Sequence, residues 1–418
     1  MRSRSAGPAR TTLALLLVHV VAGGAATGAT ALDRSVQDRP DEQLGPQVHV
    51  VYVTPADGPD RSFDTSGQIA TSVSTWNGWF RQHADGAALR IDTFNGEPDI
   101  SFLRLGRTGQ QVVESDPYAS IVGELQAGGF DDRSKVYAVY YDGESIAGTA
   151  GFCGLGSPPV AITYLGECNW FQTALRPDAF DLAMLHELLH ALDVVPSCAP
   201  HYSGGHVTED NRDIMYSGSR AGPKDWPNLT LDPGRDDYFG TAIPGCPDLA
   251  ESDLLTTRPF YRLTVTPGSG GTVSALDRVC RRDEPCSFVV RGGTDVTLVA
   301  TPRSGYRLGS WSSPCGRTET CRLNVTSNTS VSATFGPKLY RLTLSVTGRG
   351  LIRISPRNKT CRGGQTCRFD WVAGTRVTLR AVPSRRARLL RWQGGRCSGG
   401  RCVVRLDSDR RVRVAFSR

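Results

Sequence analysis

Apolar positions fall into two regimes along this chain. Val48 to Thr54 is an apolar run of strand length. From Thr65 to His83, Ile69, Val73, Trp76 and Phe80 recur at intervals of three and four, which predicts an amphipathic helix. Strands are predicted at Leu89 to Phe94, Lys135 to Tyr141 and Val160 to Leu165, with a helix at Pro117 to Leu125. A second long helix is predicted over Pro177 to Leu192, with Asp178 as its cap. Strands mixed with a buried helix predict an α/β or α+β unit over residues 47–256, with α+β the favoured reading.

Beyond Pro259 no helical period remains. Short runs such as Asp295 to Ala300 and Val412 to Phe416 alternate polar and apolar residues, and Gly, Pro and Ser separate them. The pattern occurs twice. Tyr261-Arg262-Leu263-Thr264 matches Tyr340-Arg341-Leu342-Thr343. Cys280, Cys286, Trp311, Cys321 and Phe335 match Cys361, Cys367, Trp392, Cys402 and Phe416, each 81 residues on. A period of this kind predicts a duplicated structural unit, here two all-β repeats over residues 259–337 and 338–418.

The N-terminus has the form of an export signal over residues 1–31. Arg2, Arg4 and Arg10 precede an apolar stretch from Leu13 to Val21, and Ala29-Thr30-Ala31 supplies small residues for cleavage. Residues 32–46 then form a separate N-terminal segment. The apolar stretch is shorter than the roughly 20 residues a membrane span needs, and no later stretch qualifies. Export explains twelve cysteines as disulfides. The spacings predict Cys280–Cys286, Cys315–Cys321, Cys361–Cys367 and Cys397–Cys402 as hairpin staples. For Cys153, Cys168, Cys198 and Cys246, the favoured pairs are Cys153–Cys168 and Cys198–Cys246.

The net charge of +7 conceals a division. Residues 32–257 hold 14 basic and 33 acidic residues, whereas residues 258–418 hold 31 basic and 8 acidic ones. Two halves of opposite sign imply different partners. The second repeat alone carries 21 basic and 3 acidic residues, which suits an anionic cell-wall polymer or glycan; nucleic acid is the less favoured partner.

The candidate chemistry lies in His186-Glu187-Leu188-Leu189-His190. Residues four apart share a helix face, so both imidazoles can reach one Zn2+ ion. Glu187 lies roughly 100° round the helix and can act as a base on a water that the metal activates. The motif arises by chance in roughly one chain in a hundred of this size, so its context matters. It sits in an apolar, capped segment of an exported chain. His186, His190, His201 and His206, four of the seven histidines, fall within 21 residues.

From His186 to Tyr216 the chain resembles the metzincin clan of zinc peptidases. There a third histidine follows the helix, and a methionine turn, matched by Asp213-Ile214-Met215-Tyr216, lies beneath the metal. The resemblance implies His186, His190 and a third group as ligands, Glu187 as base and Met215 in the turn. The chain departs where the clan has Gly and then His after the second ligand, because Asp193 and Pro196 stand there. The turn toward the third ligand must be longer. His206, after Gly204-Gly205, is the leading candidate; His201 and the acidic Glu209 are the alternatives. The repeats resemble divergent internalin-type B-repeats, through the Tyr-Arg-Leu-Thr opening, the strands at Val296 to Pro302 and Val377 to Pro383, the Trp and the closing Phe.

These features together predict a secreted, extracellular zinc endopeptidase acting on protein or peptide substrates, held at a wall or polymer by its basic repeats. A different class stays open: a non-catalytic secreted adhesin or wall-binding protein acting through the repeats. A chelator would abolish the first activity and not the second.

Overall fold

The computed structural model describes residues 33–144, 153–167, 177–218, 221–312 and 314–418. The expected signal peptide, residues 1–31, lies outside these residues, as does Cys168. No helix among the described residues is long and apolar enough to cross a membrane.

The chain first builds a mixed sheet. Strand β1 is Gln47–Thr54, and helix α1 is Gln68–His83. A small hairpin of β2 (Thr93–Phe94) and β3 (Glu97–Pro98) leads into β4 (Ile100–Arg104). Helices α2 (Gly109–Val113) and α3 (Pro117–Ala127) precede β5 (Lys135–Tyr141). Strands β6 (Gly154–Ser157) and β7 (Val160–Tyr164) come before α4 (Ala179–Ala191). The sheet order is β4-β1-β5-β7-β6. The first four strands run parallel, and β6 is antiparallel on the β7 edge.

Strand β1 is buried along its whole length, because its alternate side chains enter two cores. Val48, Val50 and Tyr52 pack with Trp76 and Phe80 of α1 and Leu185, Leu188 and Leu189 of α4. Val51 and Val53 pack on the other side with Ile121 and Leu125 of α3. Each such Leu or Ile contributes about 1.5–3 kcal/mol on burial. Ser72 Oγ donates to Asp181 Oδ1 at 2.7 Å, locking α1 to α4 through a buried polar contact.

The structure differs from the sequence reading in three places. Helix α1 starts at Gln68 rather than Thr65, because Gly67 adopts a φ of 84° that ends the preceding turn. The strand expected over Leu89 to Phe94 shrinks to isolated bridges from Leu89 to Leu255 and from Ile91 to Val48, plus the short β2. The α+β unit has its helices on both faces of a largely parallel sheet. Parallel order depends on which strands pair, and hydropathy along one strand does not carry that information.

Residues 33–46 lie against this sheet. Arg34 pairs with Asp60 and Asp64, Arg39 pairs with Asp99, and Lys135 holds Asp38, Asp41 and Asp92. His49 is fully buried in the same network, 2.8 Å from Asp92 and 3.0 Å from Ser101.

Two β-sandwiches follow. The first has β10 (Phe260–Pro267), β11 (Gly271–Ala275), β12 (Arg278–Cys280) and β13 (Cys286–Arg291). It continues with β14 (Thr294–Pro302), β15 (Tyr306–Trp311), β16 (Thr320–Val325) and β17 (Thr329–Pro337). The second has β18 (Leu339–Thr347), β19 (Gly350–Ser355), β20 (Lys359–Arg362), β21 (Thr366–Val372) and β22 (Arg376–Pro383). It ends with β23 (Leu389–Gln393), β24 (Arg396–Ser398), β25 (Arg401–Arg405) and β26 (Arg410–Phe416). Sheets β13-β10-β17-β15 and β12-β11-β14-β16 recur as β21-β18-β26-β23 and β20-β19-β22-β25-β24, the last gaining one strand. Between the sheet unit and these sandwiches, β8 (Tyr202–Ser203) and β9 (His206–Val207) form a hairpin.

Cystines join Cys280 to Cys286, Cys315 to Cys321, Cys361 to Cys367 and Cys397 to Cys402. Cys280, Cys321, Cys361 and Cys402 are core residues of their sandwiches. Each short loop so closed gains about 2 kcal/mol in the chain-entropy account, a large share of what a thin core supplies. On reduction, residues 259–418 are therefore expected to lose protection from hydrogen exchange at a temperature where residues 47–256 keep it. Simultaneous loss in both parts would refute this.

Candidate metal centre

Helix α4 begins at a capping box in which Asp178 Oδ1 accepts from the backbone N–H groups of Phe180 and Asp181 at 3.0 Å. Its Leu185, Leu188 and Leu189 face the core, which turns His186, Glu187 and His190 toward the opposite side. Asp193 then takes a φ of 51° and ends the helix. Asp is among the few residues besides Gly that enter the left-handed region at low cost.

The chain next runs through Cys198, which is bonded to Cys246, and reaches the β8–β9 hairpin. The two-residue loop is Gly204-Gly205, with φ values of 58° and 82°. Both positions need positive φ in a tight hairpin of this kind. A Cβ on Gly205 would also lie 3.5 Å from His190 Nδ1. The hairpin delivers His206 to the helix.

His190 Nε2 lies 3.2 Å from His186 Nε2 and 3.0 Å from His206 Nε2. His186 Nδ1 donates to the Ile214 carbonyl at 2.7 Å, so its Nε2 presents a lone pair. His206 Nδ1 faces the Gly204 carbonyl at 3.3 Å, which leaves its Nε2 in the same state. His190 Nε2 therefore stands between two acceptors, and one proton can satisfy only one of them. A single cation satisfies all three nitrogens, and tetrahedral zinc with Zn–N near 2.0–2.1 Å separates its ligands by about 3.4 Å. The donor set fits such an ion. Burial holds all three imidazoles below the usual histidine range, His190 at about 4, with the Lys224 charge acting in the same direction.

The segment under His186 is fixed as well. Asp213 Oδ1 accepts from the Met215 N–H at 2.6 Å and from the Tyr238 hydroxyl at 2.8 Å. The Tyr216 N–H closes the turn on the Asp213 carbonyl at 3.0 Å, and Val207 N–H bonds the Met215 carbonyl. Met215 is fully buried.

Glu187 lies beside a cavity of about 270 Å³ shared with Gly154, Phe180, His186, Lys224 and Trp226. Burial pushes its carboxyl up to about 7, against the Gly156 N–H and Lys224, which favour the charged form. Strand β6 approaches α4 so closely that a Cβ on Gly154 would lie 2.5 Å from Glu187 Cγ. One on Gly156 would lie 2.0 Å from the Glu187 carbonyl oxygen. Gly156→Ala is expected to force β6 off the helix, at about 1–3 kcal/mol. The urea midpoint should fall accordingly, and an unchanged midpoint would contradict this packing.

Neither Gly156 nor Lys224 stood out in the sequence. Lys224 Nζ donates to the Ile214 carbonyl at 2.6 Å, and burial lowers its pKa to about 8. It is one of four lysines in the chain, which was the available signal.

His201 and Glu209 lie elsewhere. They form a second group with Asp236 and Asp237. His201 donates its backbone N–H to Asp237 Oδ1 at 2.9 Å, and its ring contacts both Asp237 and Glu209. Burial first, then Asp237, raises the Glu209 carboxyl. Cys153 lines the cavity beside Glu187 and is disulfide-bonded; Cys168, its expected partner, lies outside the described residues.

Residues 261–339 match the family model of the divergent InlB B-repeat domain. The second sandwich repeats the strand order of that matched unit. No curated protein matches the chain. Among solved structures, wild-type OgpA from Akkermansia muciniphila is 12% identical, with 85% of this chain and 93% of that chain covered at a TM-score of 0.33. Catalytically inactive OgpA in complex with an O-glycopeptide is 10% identical, with 93% and 99% covered at a TM-score of 0.32. The TIE protein of Bacillus anthracis is 8% identical at a TM-score of 0.25. The match covers 37% of this chain and 33% of the TIE protein.

Proposed function

We propose that this chain is an exported, zinc-dependent endopeptidase of metzincin type, with residues 47–256 as the catalytic domain and the two repeats as an attachment module. The observation that carries the reading is the convergence of three imidazole Nε2 atoms, within 3.0–3.2 Å of His190, beside the buried carboxylate of Glu187. His186, His190 and His206 would hold the ion. Bound there, zinc supplies Lewis-acid polarisation of a scissile carbonyl and acidifies water.

Glu187 takes the proton of the attacking water and returns it to the leaving nitrogen. A carboxyl raised to about 7 suits both steps near neutral pH. The Gly156 N–H keeps that carboxylate in place. Among the described residues β6 ends the sheet, and an extended peptide pairing with its outer edge would run alongside Glu187. Asp193 takes the left-handed conformation at the position where the clan has Gly, so the departure noted in the sequence is compatible with a sharp exit from the helix. Cystines throughout the repeats accord with an extracellular site.

Chelation of the purified chain is expected to remove about one zinc per molecule together with casein hydrolysis, and zinc should restore both. Full hydrolysis by the metal-free chain would exclude the proposed chemistry.

A further inference from the structure

The two repeats share strand order, so residues at matching ladder positions can be compared directly. In the second repeat, Arg353 of β19 faces Arg380 of β22, which faces Arg401 of β25. The matching row of the first repeat is Ser274, Val299 and Thr320. Further along, Arg376 faces Arg405, where the first repeat places Asp295 opposite Asn324, joined by a 2.8 Å hydrogen bond. Arg396 on β24 extends the same outward face.

All six arginines are exposed. The ion pairs of this repeat, Arg341–Asp370 and Arg410–Asp407, use the other sheet and the turn after β25. Outward positions of β19, β20, β22, β24 and β25 hold no acidic and no aromatic residue. Like charges directly opposite in a ladder destabilise it, so the rows work against the fold that carries them. At one end the face opens into a cavity of about 1110 Å³ lined by Arg376, Arg396, Arg405, Arg368 and Arg411, with Asp407 and Asp409 as its two acidic residues.

We propose that this face of the second repeat binds a linear polysaccharide bearing an anionic group on each repeating unit. Neighbouring strands place arginines about 4.8 Å apart within a row, and four residues of β22 set the rows about 13 Å apart. A flexible chain can thus offer several carboxylate or phosphate groups at once to guanidinium forks that bind them bidentately. The absence of aromatic rings leaves no platform on which unpaired bases could stack, which disfavours single-stranded nucleic acid. The proposal rests on the attachment part of the function above and is independent of peptide hydrolysis.

The test uses the full chain and immobilised polygalacturonate, with neutral dextran, single-stranded DNA and duplex DNA compared at equal ionic strength. One variant combines Arg353→Ser, Arg380→Val and Arg401→Thr, and a second combines Arg376→Asp and Arg405→Asn. Both install residues that the first repeat already accommodates. A charge-matched control combines Arg303→Ser, Arg307→Ser and Arg322→Ser in the first repeat. The parent is expected to bind polygalacturonate but not dextran, with affinity falling as salt rises. Each second-repeat variant should lose about tenfold or more, and the control should bind as the parent does. Equal loss in the control would replace a site by general attraction and overturn the proposal. Tighter binding of either DNA would overturn it in favour of a nucleic-acid surface. Parent-like binding by both second-repeat variants would sink this face while sparing attachment, whereas no binding by the parent would sink attachment itself.

Discussion

Glu187→Gln is expected to lower peptide hydrolysis by about 10²–10⁴-fold while leaving the zinc content unchanged. The substitution keeps the shape of the side chain and removes its ability to take a proton. The Gly156 N–H that now meets the carboxylate can donate to an amide oxygen equally well, so β6 should stay seated. His186 keeps its Nδ1 bond to the Ile214 carbonyl, and His190 and His206 keep their mutual spacing, because none of these contacts involves Glu187. Metal analysis and casein hydrolysis on the same preparation check the two halves separately. A variant that cleaves at the parent rate would remove Glu187 from the chemistry; one that loses zinc would show that its carboxylate supports the metal rather than the proton transfer.

What the sequence disclosed about this site follows from how local each part is. The pairing of His186 with His190 needs only the helical period and a cap at Asp178, both visible along the chain. Gly204-Gly205 marked a sharp approach of the backbone before His206, but the hairpin itself, with positive φ at both glycines, emerges only from the pairing of β8 with β9. Strand β6 was not legible: Gly154-Leu155-Gly156-Ser157 shows no alternation, and its place against Glu187 is set by pairing with β7. Lys224 enters through a fold-back onto the Ile214 carbonyl, a contact that no spacing announces. The repeats were the easiest part, because an 81-residue period exposes strands and staples twice. The arginine rows within them needed the ladder register, as Arg353, Arg380 and Arg401 lie far apart along the chain and meet only across strands.

His206→Ala is expected to cost both zinc and hydrolysis, whereas His201→Ala and Glu209→Ala keep both. Tetrahedral zinc held by two imidazoles and water lacks one protein ligand. In the folded chain the nitrogen nearest to completing the set is His206 Nε2, 3.0 Å from His190 Nε2. Losing an outer-shell partner of a metal ligand typically costs 10–100-fold in affinity, and losing a ligand itself should exceed about that range. His201 is already engaged with Asp237 and Glu209, so its removal disturbs that group and not the three nitrogens. Glu209 is held in the same group, separate from the three nitrogens, so its removal leaves them in place. Zinc content, hydrolysis and circular dichroism of the three purified variants decide between them. Full zinc in His206→Ala with loss in Glu209→Ala would give the third coordination position to the carboxylate. It would also require the β8–β9 hairpin to release His206 and the His201 group to open, and both changes would be visible as altered hydrogen exchange at residues 201–209.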